Sequence, residues 1–573
     1  MTIKALKPSV PWWESAVIYH LYVRSFKDGN GDGNGDLMGV ILQLDYLSET
    51  LGADAVWLSP LYPSPMVDGG YDVTDYTGID PLFGDLSVFD QVIVEAHRRH
   101  LRVILDFIPN HTSDRHPWFL ASRSSREDAK RDWYLWANPK ADGSPPNNWL
   151  SHWGGSAWEW DAVTAQYYLH SFHRTQPDLN WRNPAVKDGM FAVVRFWLER
   201  GADGLRVDSA HYILKDPGLR DNPPNPFSEW TPYKPLGAYD SQLHVYDRDH
   251  EDTHNVYRDL RCLLEKYTLV DPYHPRLLVG EVPIFDWRKW VTYYGVNRDE
   301  LHMPFNFGLL GAIDDAGNVR QMVNTIEDVL PPDAWPSYVL GSHDESRIAT
   351  RVGRDQARVA MMLLLTLRGT PVVYYGDEIG MTDVRIPADR VHDPWERQVP
   401  GKGLGRDPER TPMQWDESFH AGFCAPFAQP WLPLPEDAEQ CNVAGQLEDV
   451  GSMLTLTRRL LDVRRHTAAL QHGTYRPFDS APDGCFIYFR EIREETWLIA
   501  LNFTSREYSI PIIEGRRGLL ILSTALDRDG VVDLSTFVLR ANEGCLIQLS
   551  GGRTSVNVTT KVLLPGNRRN PGR

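Results

Sequence analysis

The chain has 573 residues, 42% of them hydrophobic, and a formal net charge of −18. This length accommodates two or three domains, and the acidic balance argues against nucleic acid and anionic membrane as partners. The N-terminal stretch MTIKALKPSVPWWES has no apolar core of a secretion signal, and no apolar run is long enough to cross a membrane. The five cysteines are scattered without a Cys-x-x-Cys pair, which favours free thiols in a reducing compartment. We therefore expect a soluble, cytoplasmic protein.

The first predicted strand, AVIYHLYV (16–23), leads into a loop, KDGNGDGNGD (27–36), in which Asp or Asn alternates with Gly. Its candidate metal ligands are Asp28, Asn30, Asp32, Asn34 and Asp36. A phosphate-binding loop is excluded because three aspartates would repel phosphate. An EF-hand is excluded because Gly39 stands where the bidentate Glu belongs. Alternating oxygens on a tight loop suit a hard cation, Ca²⁺ better than Mg²⁺, so the loop predicts a calcium site. The alternative is a solvated Asp-Gly turn.

Short apolar runs alternate with amphipathic helical stretches from here to about residue 380. Apolar β-runs separated by helices are typical of a parallel sheet. Eight such runs predict an α/β fold of the (β/α)8 barrel type. The eight predicted strands are AVIYHLYV (16–23), AVWLSP (55–60), RVILDFI (102–108), GLRVDSA (204–210), RLLVGEV (276–282), HMPFNFGLL (302–310), SYVLGSH (337–343) and VVYYGDE (372–378).

Two regions depart from this pattern. Residues 112–180 are rich in Trp, Ser and Asp with weak periodicity, which predicts a subdomain inserted after the third strand. From about residue 470, strands follow one another without helices, which predicts a C-terminal β-sandwich domain. The predicted units are the barrel (1–111 and 181–469), the inserted subdomain (112–180) and the β-sandwich (470–573). We expect the last residues, 558–573, to be poorly ordered.

Three acidic residues follow separate predicted strands at the end where barrel enzymes carry their chemistry. Asp208 lies on strand four, Glu281 on strand five and Asp344 on strand seven. Arg206, two residues before Asp208, shares its face of the strand, so we expect Asp208 to be ionised. Glu281 has no cation nearby in the sequence and is the better candidate acid. Glycoside hydrolysis by an acid and a nucleophile requires two such carboxyl groups with different pKa values. The alternative is a set of buried ion pairs that tie the barrel together.

Four stretches at these strand ends resemble, in order, the motifs of the α-amylase family of glycoside hydrolases. They are DFIPNH (106–111), GADGLRVDSAH (201–211), VGEV (279–282) and GSHDES (341–346). Within the family the chain is most similar to the oligosaccharide α-glucosidase branch. That similarity rests on GYDVTDY (70–76), NHTSDRHPWF (110–119), QPDLNWRNP (176–184) and GRDPERTPMQWD (405–416).

The resemblance implies a retaining, exo-acting α-glucosidase that releases terminal glucose from short oligosaccharides or α-glucosides. Asp208 would be the nucleophile that forms a β-glucosyl ester, and Glu281 the acid and then the base. Asp344 would stabilise the distorted sugar ring, and Arg206 would keep Asp208 ionised. Two displacements give net retention of the α configuration.

The resemblance also implies how the substrate is bound. Tyr71 would stack on the reactive sugar. Asp72 and Arg406 would pair at the closed end of the pocket and hold the 4-hydroxyl of the non-reducing glucose, which makes the enzyme exo-acting. Further implied contacts are His111, His343, Phe172 and Gln176. Asp106 and Asp377 are assigned to structure. The branch also has a calcium site in the loop after the first strand, to which Asn34 would contribute its backbone carbonyl.

Two departures from the branch's common pattern bear on specificity. Ser209 after the nucleophile favours α-1,4 or broad linkage preference, and Glu345–Ser346 stands where Gln-Pro is more usual. The same catalytic residues would serve a glucosyl transferase or isomerase, such as a trehalose synthase or sucrose isomerase. A non-catalytic relative is disfavoured because all three acids are present, and an endo-acting amylase because of the expected Asp72–Arg406 pair. Monomer and homo-oligomer both remain open.

Overall fold

Eight parallel strands close into a barrel in the computed structural model, which describes residues 10–227, 235–510 and 517–549. Each strand pairs with its sequence neighbours, and the first also pairs with the eighth, Ile18 lying opposite Val372. The barrel strands are Ile18–Leu21, Ala55–Leu58, Arg102–Phe107, Gly204–Val207, Leu277–Gly280, Met303–Asn306, Ser337–Val339 and Thr370–Tyr374. The predicted (β/α)8 fold is confirmed.

The strands are apolar on both faces because both faces are buried. Leu277 and Val279 belong to the cluster that fills the barrel interior, whereas Leu278 between them packs in the larger core outside. Helices cover that outer face. The longer ones are Leu86–Arg98, Pro184–Glu199, Thr253–Val270, Ala316–Val329, Ile348–Thr366 and Met453–Arg465. Shorter helices include Trp12–Ser15, Val23–Phe26, Leu37–Leu42, Tyr46–Leu51, Pro117–Ser124, Trp287–Trp290, Gly308–Ala312, Pro394–Gln398, Val443–Glu448 and Ala468–His472.

Several predicted strands are shorter in the structure. The eighth ends at Tyr374, and Gly376, with φ of +84°, turns the chain into a 3-10 helix, Asp377–Ile379. Glu378 in that turn accepts hydrogen bonds from the Tyr19 and Tyr46 hydroxyls, 2.6 and 2.9 Å away. Asp377 is also buried and lies 3.7 Å from Arg347, so both acids after strand eight stabilise this turn.

The excursion after the third strand carries a three-stranded antiparallel sheet, Trp136–Ala137, Trp158–Asp161 and Gln166–Leu169. It precedes the helix Pro184–Glu199, which leads into the fourth barrel strand. The excursion thus sits at the carboxyl end of the third strand, where it can wall a pocket at the top of the barrel.

The C-terminal domain is an antiparallel all-β unit, as predicted. Its six-stranded sheet comprises Thr474–Pro477, Cys485–Ile492, Glu495–Asn502, Arg517–Ser523, Gly530–Asp533 and Gly544–Leu549, and a two-stranded sheet comprises Tyr508–Ser509 and Val538–Leu539. Phe486 and Tyr488 pack in the main core, while Ile487 packs in a second core with Leu539. Both faces are buried, which explains the continuous apolar run. The predicted disordered tail, 558–573, lies outside the described residues. Within the described ranges, no helix combines the length and apolar character needed to cross a membrane.

Candidate active site

A pocket of about 390 Å³ opens at the carboxyl ends of the barrel strands. This volume falls in the range of small-molecule sites. Asp208, Glu281 and Asp344 all line it, although they follow three different strands. The inserted subdomain contributes Phe172 to the wall, and the segment after the eighth strand contributes Arg406. The predicted catalytic residues therefore meet in one cavity.

The Arg206 guanidinium connects three carboxylates on neighbouring strands. Its Nη1 lies 2.6 Å from Asp106 and 2.9 Å from Asp208, and its Nη2 lies 2.5 Å from Glu281. Asp106 stands opposite Arg206 in the register between strands three and four, which explains why it supports the arginine. A single buried cation thus holds both acids of the predicted catalytic pair.

The ionisation of this cluster differs from the expectation drawn from the sequence. Burial is the largest influence on Asp208 and raises its pKa well above the ordinary value, while Arg206 opposes that rise. Burial likewise raises the pKa of Asp106 to about 6. The prediction that Glu281 lacks a cation was wrong, because Arg206 reaches it from the adjacent strand. Three carboxyls around one guanidinium favour retention of a proton within the cluster.

The turn after Asp208 positions Glu281. Ser209 has φ of +44°, an uncommon left-handed conformation for a non-glycine residue. Its N–H donates to Glu281 Oε2 at 3.1 Å, the same oxygen that Arg206 contacts. The N–H of Ala210 donates to the Glu281 carbonyl at 2.9 Å. Glu281 is therefore held through one carboxylate oxygen and its backbone, which leaves Oε1 available for chemistry.

Asp344 is held as an anion. Burial opposes its ionisation, but His343, Arg406 and Arg410 outweigh burial and hold its pKa well below the ordinary value. Arg406 Nη1 and Arg410 Nη2 lie 3.0 and 2.9 Å from Asp344 Oδ1. Arg410 was missed by the sequence argument. The GRDPERTPMQWD stretch contains it, but only the folded loop reveals which of its arginines reach the pocket.

The expected Asp72–Arg406 pair is wrong, because Arg406 pairs with Asp68. Nη2 of Arg406 lies 2.8 Å from Asp68 Oδ1, and both side chains are buried. The Asp72 carboxylate instead accepts hydrogen bonds from Ser64 Oγ at 2.8 Å and from the N–H groups of Val67 and Asp68 at 3.1 and 3.0 Å. Asp72 thus satisfies the backbone of the turn that presents Asp68 to the pocket.

Asp68 and Arg406 line the part of the pocket that the resemblance assigns to its closed end, and they have two further partners. Gln176 Nε2 donates to the second oxygen of Asp68 at 2.8 Å. Arg406 Nε donates to Asp393 at 2.6 Å, and the Arg406 backbone N–H donates to the same oxygen at 3.0 Å. Burial raises the pKa of Asp68 to about 6. The sequence argument missed Asp393. The Asp-Pro dipeptide is a helix-start signal that could have drawn attention to it, and Asp393 is the N-cap of the helix Pro394–Gln398.

The other predicted contact residues, Tyr71, His111, Phe172 and His343, line the pocket. The Tyr71 hydroxyl lies 2.7 Å from His343 Nε2, and the two rings stack at 5.3 Å. His111 meets the Phe172 ring edge-on at 5.4 Å. Gln176 is fully buried and lies 3.1 Å from His111 Nε2, which connects this histidine to the closed end. Burial lowers the pKa of His343 to about 3 and of His111 to about 4, so both rings are neutral at pH 7.

The remainder of the pocket is formed by residues that sequence reasoning did not single out as contacts. Several belong to the long segment after strand four or to the ends of strands five, six and seven. They include Tyr239, His244, Arg248, Phe285 and Phe307. Glu345, which the sequence connects with specificity, also lines the pocket. No periodicity marks them, since they belong to loops. We call this part of the lining the acceptor end.

The predicted calcium loop is closed on itself by backbone hydrogen bonds. Asp28 is buried, and its carboxylate accepts from the N–H groups of Asn30, Gly31 and Gly33 at 3.1, 2.6 and 2.9 Å. Asp36 is also buried, caps the helix Leu37–Leu42 and accepts from the N–H of Gly29 at 3.1 Å. Over residues 10–227, 235–510 and 517–549, no group of three or more His, Cys, Asp or Glu is arranged to hold a metal ion. A cation in this loop would therefore also need amide or carbonyl oxygens.

Asn30 and Asp32 extend the same pattern along the loop. Asn30 Oδ1 accepts from the N–H of Asp32 at 2.9 Å, and Asp32 Oδ1 from the N–H of Asn34 at 2.8 Å. The Asn34 side-chain oxygen accepts from Arg24 Nε at 2.9 Å, so of its two oxygens the backbone carbonyl is the one left for a cation. The donor set, with two buried carboxylates and further oxygens on alternate residues, fits a calcium ion in its chemistry.

Comparison with known proteins gives consistent matches over most of the chain. The family model for the alpha amylase catalytic domain matches residues 20–473. The chain is 40% identical over 486 residues to a probable alpha-glucosidase from Rhizobium meliloti (strain 1021), covering 82% of this chain and 86% of that protein. It is 35% identical over 556 residues to the oligo-1,6-glucosidase of Parageobacillus thermoglucosidasius, covering 90% and 95%. The crystal structure of an alpha-glucosyl transfer enzyme, XgtA, matches with a TM-score of 0.87 at 35% identity, covering 95% of this chain and all of that one.

Proposed function

The chain belongs to the α-amylase family of glycoside hydrolases, and we propose that it is a retaining, exo-acting α-glucosidase. Its substrates are short oligosaccharides or α-glucosides, from which it releases the terminal non-reducing glucose. The observation that carries this proposal is the joint position of two features in one pocket: Asp208 and Glu281 on the Arg206 guanidinium, and the Asp68–Arg406 pair at the closed end.

The catalytic pair acts by two displacements. Asp208 attacks the anomeric carbon while Glu281 protonates the glycosidic oxygen, and Glu281 then deprotonates the water that cleaves the ester. Attachment to the two terminal nitrogens of one guanidinium keeps the carboxyls close together. A close pair, roughly 5–5.5 Å apart, is the arrangement of retaining enzymes. The fixed Oε2 of Glu281 leaves Oε1 to exchange the proton with the sugar oxygen.

The anionic Asp344 supplies the third role. Its negative charge stabilises the cation-like ring of the transition state, in a site that excludes much of the water. Neutral His111 and His343 can each donate and accept hydrogen bonds with sugar hydroxyls. The Tyr71 ring offers an apolar face for the sugar. Asp68 and Arg406 together hold the terminal hydroxyls, which explains release from the chain end only.

Hydrolysis of p-nitrophenyl α-glucoside by the wild type and by Asp208→Asn tests the proposal. The wild type should release nitrophenol, and the variant should lose this activity. A folded wild type that is inactive on every α-glucoside would refute it.

Glucosyl transfer or isomerisation is the second candidate function, and the similarity to the alpha-glucosyl transfer enzyme XgtA supports it. The same three acids would form the same ester, and a few kcal/mol between the barriers for water and for a sugar decides the product. The product profile on maltose separates the two candidates. Free glucose supports hydrolysis, whereas longer or isomeric glucosides as main products support transfer. Ser209 beside the nucleophile favours α-1,4 or broad linkage preference in either case.

We also propose a structural calcium ion in the loop 28–36. Asp28, Asn30, Asp32 and Asp36 would hold it through side-chain oxygens, and Asn34 through its carbonyl. Supporting this, burial and the nearby Asp28 raise the pKa of Asp36, although backbone N–H groups oppose the rise, and a cation would relieve that repulsion. The ion would stabilise the conformation of the loop and would take no part in catalysis.

A cytoplasmic location is part of the same proposal. All five cysteines are free, and four of them are buried, which suits a reducing compartment.

A further inference from the structure

A third pocket-lining arginine, Arg248, differs from the other two in its surroundings. Arg206 and Arg406 each contact three carboxylates. The half-buried Arg248 guanidinium instead lies 5.8 and 5.6 Å from the ring centroids of Tyr212 and Tyr239, and it donates to the Tyr212 hydroxyl at 3.2 Å. In the described part of the chain, no carboxylate oxygen lies within 4.0 Å of its nitrogens. Among the described residues, Arg248 therefore brings to the pocket wall a positive charge that forms no ion pair with a carboxylate.

The acidic residues on either side of Arg248 are bound elsewhere. Asp247 Oδ2 lies 2.6 Å from His244 Nδ1. Asp249 accepts a hydrogen bond from the Tyr293 hydroxyl at 2.8 Å. The charge of Asp247 acts on the guanidinium, but neither flanking carboxylate forms an ion pair with it, so the guanidinium can still bind a ligand anion.

A row of rings connects Arg248 with other residues of the pocket wall. Tyr212, which contacts Arg248, lies 5.0 Å from the Phe172 ring, and Phe172 in turn meets His111. His111 in turn is connected to Asp68 through Gln176. An aglycone that reaches this part of the pocket wall would meet the Arg248 guanidinium.

A guanidinium is the side chain best suited to carboxylate and phosphate, because its planar fork donates two parallel hydrogen bonds. Half-burial strengthens such a contact by lowering the local dielectric. The Tyr212 and Tyr239 hydroxyls, 2.5 Å apart, hold the rings beneath the guanidinium in place. We propose that Arg248 forms an anion-binding site at the acceptor end, and that the enzyme acts on α-glucosides whose aglycone carries a carboxylate or a phosphate. This inference rests on the proposed α-glucosidase activity.

Two substrate pairs that differ in charge test the inference and distinguish the two anions. The first pair is 2-O-α-glucosylglycerate and the neutral 2-O-α-glucosylglycerol. The second is maltose with a 6-phosphate on its reducing glucose and maltose itself. For at least one pair, the wild-type kcat/KM should favour the anionic member by about tenfold or more, the gain typical of a charge-assisted hydrogen bond. The pair with the larger ratio identifies the preferred anion.

Variants assign the preference to Arg248. In Arg248→Gln the ratio of anionic to neutral kcat/KM should fall to about one, and in Arg248→Lys it should be intermediate. Arg220→Gln is the matched control, because Arg220 lies in the same segment but pairs with Asp216 at 2.8 Å on the surface. If Arg248→Gln does not fold, the wild-type ratio should fall as NaCl is raised from about 0.05 to about 0.5 M.

The outcomes separate the inference from the proposed function. Hydrolysis of the neutral members with no preference for either anion overturns the anion site and leaves the α-glucosidase intact. An anion preference that persists in folded Arg248→Gln, or a ratio that does not respond to salt, also overturns it. Inactivity of the wild type on all four compounds refutes the proposed function itself.

Discussion

Arg406 binds Asp68 at the closed end of the pocket, with 2.8 Å between Nη2 and Oδ1, and both side chains are buried. The two residues lie far apart in the chain and meet only because the barrel closes. Asp72, four residues after Asp68, bonds to its own turn instead. Binding of the terminal glucose thus depends on Asp68 rather than on Asp72, and substitution of each residue tests this assignment.

Asp68→Asn should lower kcat/KM on maltose by about 100-fold, since the variant loses a charged contact to the sugar and weakens the hold on Arg406. Asp72→Asn is the matched control and should instead lose about 1–3 kcal/mol of stability, because one carboxylate oxygen becomes an amide NH2 and one of the two backbone N–H groups loses its acceptor. Steady-state kinetics and thermal unfolding of both variants give the comparison. A larger loss of kcat/KM in Asp72→Asn would restore the pairing expected from the sequence.

Glu281→Gln should separate substrates by their leaving groups. Maltose needs protonation of its glycosidic oxygen, so its kcat/KM should fall by about 10³-fold or more. Nitrophenolate leaves without a proton, so formation of the ester from p-nitrophenyl α-glucoside should be much less affected. Pre-steady-state kinetics should then show a burst of nitrophenol as the ester accumulates. Equal losses on both substrates would contradict the acid–base role.

The pH profile should show an acid limb well above that of an ordinary aspartate. Burial raises the pKa of Asp106 to about 6 and raises that of Asp208. As the pH falls through about 6, Asp106 takes up a proton, and the raised pKa of Asp208 also favours its neutral, non-nucleophilic form on the acid side, so kcat/KM falls. An unperturbed aspartate would preserve activity to about pH 4. A plateau in kcat/KM on p-nitrophenyl α-glucoside down to pH 4.5 would contradict this account.

Calcium should stabilise the protein without changing the chemistry. Addition of Ca²⁺ to chelator-treated protein should raise the unfolding midpoint by about 3 °C or more, as expected for a ligand that binds only the native state. Asp28→Ala with Asp32→Ala should abolish the shift. The control is Asp142→Ala in an exposed Asp-Gly turn, where Asp142 accepts from the N–H of Ser144 at 3.0 Å. Absence of any calcium effect on the wild type would refute the site.

The barrel and its three catalytic candidates could be predicted because their signals are local. Apolar runs identify buried strands. An acidic residue directly after such a run lies at the carboxyl end of the barrel, independently of the conformation of the loops. Asp208, Glu281 and Asp344 satisfy this condition, and the structure brings them into one pocket.

Pairings across the pocket could not be predicted in this way. The choice between Asp68 and Asp72 depends on how a turn folds, and the contact of Arg206 with Glu281 depends on strand register. Arg410 and Asp393 lie in the loop after strand eight, where no periodicity relates a residue to the site. The ends of the strands could not be predicted for a similar reason, because they depend on local turns. Gly376, in the left-handed conformation, ends the eighth strand earlier than the sequence predicts.

The central claim is retaining hydrolysis at a chain end, and proton NMR of the wild type with p-nitrophenyl α-glucoside tests it most directly. The anomeric signal of α-glucose should appear first, and the β-anomer should follow only by mutarotation. If β-glucose appears first, or if a folded enzyme releases no glucose, the assignment of Asp208 and Glu281 is contradicted.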